Sequence, residues 1–256
     1  MPADSSEATL AALAIDFDKV PGIRPLAAAY AAGAPEIAPF FTGVPGDDAA
    51  WDAAVTAARA AHRDRPVLEA LEAQHISRDA PNEARAALSR LGAPSTVAVV
   101  TGQQAGLFGG PLYTLLKAIT AIRMARQLET TRGVPAVAVF WVDAEDHDLD
   151  EIRSCGVANP DGQPAAVALA LPPSAAGTPA SAVTLGSEAD ASLNQLTALL
   201  TTTDFSDSLL GALKAAYGPG RGLVEGFARW LEQLLGPHGL IVFDASDPAA
   251  KGQVAD

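Results

Sequence analysis

The sequence is poor in cysteine, poor in basic side chains and without a long apolar run, and each shortage removes a class of function. Cys155 is the one cysteine among 256 residues, so no disulfide can close within the chain and a cysteine-based zinc site is excluded. A reducing compartment is the default. Lys and Arg total 17 against 30 Asp and Glu, a formal charge of −13. Nucleic-acid backbones are bound by positive surfaces, and no local basic patch interrupts the acidic balance. No apolar run reaches membrane-spanning length. Residues 1–18 carry Asp4, Glu7, Asp16 and Asp18 and lack a basic segment followed by an uninterrupted apolar one, so they do not read as a secretory signal. The expectation is a cytoplasmic protein with neither a nucleic-acid nor a membrane partner. Internal repeats and a low-complexity tail are also missing.

What is present is a globular composition, 49% hydrophobic and 18% charged, with length for one large α/β domain or two smaller ones. Residues 1–94 read as a helical lead-in that packs on the core. Gly46-Asp47-Asp48 offers a cap before the alanine-rich residues 49–62, Pro66 suits the first turn of a helix running to about His75, and Pro81-Asn82-Glu83 opens another that ends near Gly92. Residues 95–256 read as the core. Thr96-Val97-Ala98-Val99-Val100 and Val137-Ala138-Val139-Phe140-Trp141-Val142 are apolar, rich in β-branched residues and without alternation, as expected of strands buried on both faces of a parallel sheet. Between them Leu112, Leu115, Leu116, Ile119 and Ile122 fall on one helical stripe, which Gly133-Val134-Pro135 ends. Strand, crossover helix and strand make a parallel βαβ unit.

Further along, Asn159-Pro160-Asp161-Gly162 predicts the turn of a small β-hairpin at the sheet margin, between residues 155–158 and 165–171. Helices follow from Ser187 or Asp190 to about Leu200, from Ser206 through Ala216, and over an amphipathic stretch bearing Leu223, Phe227, Trp230, Leu231 and Leu234 on one face. Residues 239–244 form a further buried strand ending in Asp244. The fold class is α/β, with a Rossmann-like parallel sheet at its core.

Two polar blocks follow the two apolar runs, at the carboxyl edge where open α/β sheets hold ligands. The first, Thr101-Gly102-Gln103-Gln104-Ala105-Gly106-Leu107-Phe108-Gly109-Gly110-Pro111, leads into a helix N-terminus, where backbone N–H groups and the helix dipole favour anions. It lacks the Gly-Lys-Ser/Thr of a P-loop and the glycine spacing of the dinucleotide fingerprint. It is either a tight turn alone or a phosphate or carboxylate site. Gln103 and Gln104 bring uncharged donors and acceptors suited to a hydroxyl-rich or zwitterionic substrate. Lys117 meets a phosphate or lies on a solvated face. The second block, Asp143-Ala144-Glu145-Asp146-His147-Asp148, crowds carboxylates, which raises at least one carboxyl pKa. His147 then serves as acid, base or oxyanion donor, the carboxylates serve magnesium held by phosphates, or the whole is a solvated acidic loop. His62, His75, His238 and Cys155 read as structural.

Thr101-Gly102-Gln103-Gln104, Gly106-Leu107-Phe108, Gly110-Pro111, Tyr113 and Lys117, then Phe140-Trp141 and Glu145-Asp146-His147-Asp148, together resemble the signature blocks of the bacillithiol biosynthesis cysteine-adding family (cysteine ligase BshC). Weaker similarity lies in Val20-Pro21-Gly22, Ala216-Tyr217-Gly218-Pro219-Gly220 and residues 239–248. The resemblance implies a nucleotidyltransferase-like Rossmann core and formation of an amide between the cysteine carboxyl and the amine of glucosaminyl malate. By analogy with the mycothiol cysteine ligase, ATP would activate the carboxylate as an adenylate; ATP would be a co-substrate, with Mg2+ accompanying it, and no tightly bound cofactor or protein metal site is implied. It gives Asp146 and His147 the catalytic roles, Thr101, Gly102, Gln103, Gln104, Trp141, Glu145 and Asp148 substrate contacts, and Gly106, Gly109, Gly110 and Lys117 the nucleotide's anionic groups. Leu149 departs from the aromatic residue common after the acidic block. Family members continue into a coiled coil that supports homodimers, so this chain is expected to stop inside the core, without that region. The alternative to a ligase is a shortened, non-catalytic small-molecule-binding domain.

Overall fold

A computed structural model describes residues 15–43, 46–61 and 67–252. They divide into two compact units, Met1–Ala61 and His62–Asp256. The first contains helices α1 (Pro25–Ala31) and α2 (Asp48–Ala60), with Asp47 capping α2 by accepting the Ala49 N–H at 2.9 Å. The Tyr30 and Phe41 rings meet there at 4.5 Å. The expectation for Pro66 lies outside the described residues.

The second unit opens with α3 (Val67–Arg78) and α4 (Asn82–Leu91) and continues through β1 (Val97–Gln104), α5 (Leu112–Arg132) and β2 (Ala136–Asp143). It then runs through α6 (Leu149–Ile152), β3 (Ser154–Ala158), β4 (Pro164–Ala168), α7 (Ser187–Leu199), α8 (Ser206–Ala216), α9 (Leu223–Leu235), β5 (Leu240–Asp244) and α10 (Pro248–Gly252). The main sheet has the order β1-β2-β5, parallel throughout, with Val97 opposite Ala136 and Ala138 opposite Leu240. This is the α/β Rossmann-like core that the apolar runs predict. β3 and β4 pair antiparallel as a separate two-stranded sheet, and the Asn159 side chain ties their turn by accepting the N–H groups of Asp161 and Gln163.

Alternation along the strands distributes the helices between two faces. Val137, Val139, Ile241 and Phe243 pack with Leu71, Leu88 and Leu91 of α3 and α4. Phe140 turns the other way, and its ring meets that of Phe227 in α9 at 6.0 Å. Burying these aliphatic and aromatic side chains contributes about 1.5–3 kcal/mol each.

The stripe that α5 buries differs from the one its leucines predict. Thr114, Ala118, Ala121, Ile122, Ala125 and Leu128 face inward, while Leu112 and Leu116 are 72% and 55% exposed and Ile119 is exposed with them. Alanine lets a helix lie close against a sheet, and a reading weighted by hydrophobicity ranks leucine above it. The expectation of strands buried on both faces holds for β2 but not for β1: β1 is an edge strand of this sheet, and its Ala98 and Val100, in register with Val137 and Val139, are exposed, Val100 by 58%.

A buried polar joint fastens α3 to α9 and β5. Arg78 donates to both carboxylate oxygens of Glu232, at 2.9 and 3.3 Å, and to the Val242 carbonyl at 2.6 Å. Gln74 exchanges hydrogen bonds with the Asp244 backbone at 3.0 Å, acting as one rung of a further strand on β5. His75 Nδ1 lies 2.8 Å from the Leu71 carbonyl, which can only accept, so that nitrogen carries the proton. Its Nε2 stands 3.3 Å from Glu232 Oε1 without a hydrogen bond. Burial lowers the His75 pKa, outweighing the attraction of Glu232 and the Leu71 carbonyl, and the nearby charge of Arg78 adds to the lowering.

An unfolded histidine titrates near 6.5. Between that value and the lower folded one, the unfolded state holds more protons, so acid favours unfolding. His75 is therefore expected to leave stability intact above pH 6.5 and to erode it below, by at most about 1.4 kcal/mol per pH unit. Urea unfolding at pH 7.5 and 5.5 checks this: wild type should lose more stability on acidification than His75→Gln, and equal losses would contradict the assignment.

Candidate functional site

β1 does not stop where its apolar run ends. It continues through Gln104, so Thr101, Gly102, Gln103 and Gln104 are strand residues, with Gly102 opposite Trp141 and Gln104 opposite Asp143. Gly102 is required there, since a methyl group on it would stand 2.7 Å from the Trp141 carbonyl oxygen. The period of two then sends the adjacent glutamines to opposite faces. Gln103 joins α5: it accepts from Lys117 Nζ at 2.8 Å and donates to the Tyr113 hydroxyl at 3.4 Å. Lys117 also donates to the Gly102 carbonyl and sits 5.1 Å from the centre of the Tyr113 ring. Gln104 turns to the second block and donates to Asp146 Oδ2.

That hydrogen bond joins the two polar blocks across the carboxyl ends of β1 and β2. Asp146 Oδ1 accepts the Asp148 N–H at 3.0 Å. Crowded acids lead one to expect a raised carboxyl pKa, but Asp146 goes the other way. The Asp148 N–H and the Gln104 amide, with smaller help from His147, hold it below the usual carboxylate range. It remains an acceptor at neutral pH. His147 Nδ1 lies 2.7 Å from the Glu145 carbonyl and so carries the proton, which leaves Nε2 of the neutral ring as an acceptor.

The other members of the acidic block have separate partners. Glu145 pairs with Lys251 of α10, and Asp148 caps α6 by accepting the Glu151 N–H at 3.3 Å. Among the described residues no group of three His, Cys, Asp or Glu side chains is arranged to hold a metal ion. Trp141 is 48% exposed and meets Phe243 edge to face at 5.0 Å, forming an aromatic shelf on the same face as Gln104. Beside His147 and Asp148 a cleft of about 330 Å³ runs past Arg153, Leu171, Pro173 and Gly177.

The glycine segment closes on itself between β1 and α5. Phe108, Gly109 and Gly110 all have positive φ, at 52°, 97° and 69°, and a side chain at Gly106 would collide with Gly110 Cα at 2.6 Å. The Thr114 N–H is taken by the Pro111 carbonyl at 2.9 Å, the Leu112 and Tyr113 N–H groups before it have no intrahelical partner, and no side chain caps the helix at Pro111. Thr114 Oγ1 is buried beside Gly110 without a hydrogen-bond partner. Gly106, Gly109 and Gly110 are thus brought together at a helix N-terminus, whereas Lys117 is engaged with Gln103 and Gly102. Sequence reasoning missed Thr114 and Lys251. Neither carries a motif, and only the folded loop and the return of α10 to the sheet edge bring them in.

Cys155 shares none of these contacts. It is half-buried, and burial pushes its thiol pKa up, the opposite of activation. No described helix is long and apolar enough to cross a membrane.

Comparison with known proteins gives this arrangement a family. The Salinibacter ruber protein named cysteine ligase BshC is 34% identical over 218 residues, 84% of this chain and 39% of its own length. The Chlorobaculum tepidum protein of that name is 36% identical over 193 residues, 74% of this chain and 34% of its own. The corresponding Geobacillus kaustophilus protein is 31% identical over 233 residues, 91% of this chain and 43% of its own. The chain therefore spans about two fifths or less of these relatives. The family model described as the N-terminal Rossmann-like domain of the bacillithiol biosynthesis protein BshC matches residues 11–256, and the chain belongs to that family.

Proposed function

We propose that this chain carries the nucleotide and cysteine sites of an ATP-dependent cysteine ligase of bacillithiol biosynthesis, acting in the cytoplasm on the amine of glucosaminyl malate. The observation that carries this reading is the Gln104–Asp146 hydrogen bond, which joins the two signature blocks at the carboxyl ends of β1 and β2. The uncapped α5 N-terminus, the close approach of Gly106 to Gly110 and the unpartnered Thr114 hydroxyl suit the phosphates of ATP. Lys117 would reach them only by leaving Gln103.

ATP would supply the activated carboxyl of cysteine as an adenylate, releasing pyrophosphate. The amine nitrogen of glucosaminyl malate would then attack the carbonyl carbon, forming the C–N bond as the C–O bond to AMP breaks. Asp146, kept ionised, would hold the incoming ammonium, and His147 Nε2 would take its proton. Glu145 and Asp148 would shape the rim through Lys251 and α6, and Trp141 would floor it. The cleft beside His147 has room for the sugar. Mg2+ would enter with the nucleotide phosphates, since the acidic side chains point to separate partners.

Purified chain incubated with ATP, cysteine and glucosaminyl malate, with the amide followed by mass spectrometry, tests the reading. His147→Ala and Asp146→Asn are expected to lower turnover by about 10²–10⁴, and Gln104→Ala to weaken binding, each with Tm within a few degrees of wild type. ATP binding without product would favour the alternative, a non-catalytic nucleotide-binding domain. Full turnover in His147→Ala would overturn the assigned chemistry.

A further inference from the structure

The hydroxyl of Tyr217 is buried on the inner side of the glycine turn, 111 residues further along the chain than its acceptor there. It donates to the Gly106 carbonyl at 2.9 Å and accepts the Gly109 N–H at 2.9 Å, a hydrogen that Gly109 shares with the Gly106 carbonyl at 3.2 Å. The ring meets Phe108 edge to face at 5.3 Å. Phe108 is the one non-glycine residue of the turn with positive φ, a conformation that costs of order 1 kcal/mol and persists only where its surroundings impose it. Burial raises the phenol pKa, so Tyr217 keeps its proton and serves as a fixed donor and acceptor. Gly226 on α9 provides its seat, because a side chain there would stand 2.9 Å from the Tyr217 ring.

We propose that Tyr217 is the positioning residue of the anion-binding turn. Through Gly106 and Gly109 it fixes the conformation in which the turn and the α5 N-terminus receive a ligand's phosphate groups, without touching the ligand itself. The proposal rests on the reading of the turn as the ATP site. It adds a requirement that reading does not contain: a single buried hydroxyl, supplied from the far side of the turn, sets its affinity.

The variant Tyr217→Phe keeps the ring and its packing and removes only the hydroxyl. Three measurements on the whole chain test it: Tm, amide hydrogen exchange at Gly109 by NMR, and calorimetric titration with ATP and separately with inorganic tripolyphosphate. Expected are a Tm within a few degrees of wild type, exchange at Gly109 at least about tenfold faster, and an affinity for both ligands about tenfold weaker. Faster exchange with undiminished tripolyphosphate affinity would reduce Tyr217 to a structural role and overturn the proposal, as would unchanged exchange. If wild type binds tripolyphosphate and not ATP, the nucleotide reading fails while the positioning role is still decided by tripolyphosphate. If wild type binds neither, both fall. Should Tyr217→Phe not fold, Gly226→Ala, which displaces the ring and keeps the hydroxyl, replaces it with the same expected losses.

Discussion

Glu232→Ala is expected to remove about 3–5 kcal/mol of folding stability, the cost of breaking a buried ion pair from one side. Glu232 is 2% exposed, and its two oxygens hold Arg78, which is itself buried between α3, α9 and β5. Without the carboxylate the guanidinium keeps, among the described residues, the Val242 carbonyl alone, and the charge stays in the core. A domain of this size has about 5–15 kcal/mol in total, so the loss reads out as a large shift in urea midpoint with little change in slope. Removing both partners should be milder. Arg78→Met with Glu232→Met leaves no stranded charge, and the double variant should recover most of the loss. A single Glu232→Ala costing under about 1 kcal/mol would mean that water reaches Arg78 and that the joint is not dry.

This joint also marks where sequence reading reached its limit. Arg78 and Glu232 are 154 residues apart, and neither helix pattern announces a charged residue that faces inward. His75, expected to be structural, is buried with its Nδ1 on the Leu71 carbonyl, and no motif foretells that Glu232 lies beside it. The strands were legible because apolar runs without alternation have few other uses in a chain of this composition, and β5 was legible for the same reason. α9 was readable from its stripe apart from Leu234, which is 40% exposed, whereas α5 was not, since Ala118, Ala121 and Ala125 form its contact surface and the larger Leu112 and Leu116 stand outside. At the site, the motifs located both blocks. That Gln103 and Gln104 serve different faces follows from the strand period once β1 is known to reach Gln104, a boundary hidden by its polar end. The sign of the Asp146 shift was hidden for a related reason: charge crowding is visible in a sequence, and the N–H groups that offset it are not.

Gly109→Ala tests the glycine turn from the opposite side to Tyr217. Two costs are expected to add. At φ 97° an L-residue is strained, and the new methyl carbon would stand 2.7 Å from Trp230 Nε1 and 3.0 Å from its Cδ1. Trp230 is 8% exposed and packed in α9, so the indole has little freedom to yield. Together these should destabilise the fold by about 2–4 kcal/mol and, by moving the turn, abolish tripolyphosphate binding at concentrations that saturate wild type. Gly133 provides the comparison. It too has positive φ, 62°, but a side chain there meets nothing within 4 Å. Gly133→Ala should therefore carry the conformational cost alone, about 1 kcal/mol, and leave binding intact. The difference between the two variants isolates the collision with Trp230. Trp230→Ala removes the colliding atoms, so combining it with Gly109→Ala should cost less than the two separate losses added together. If the losses are strictly additive, the strain lies in the backbone of the turn and the indole is not its wall.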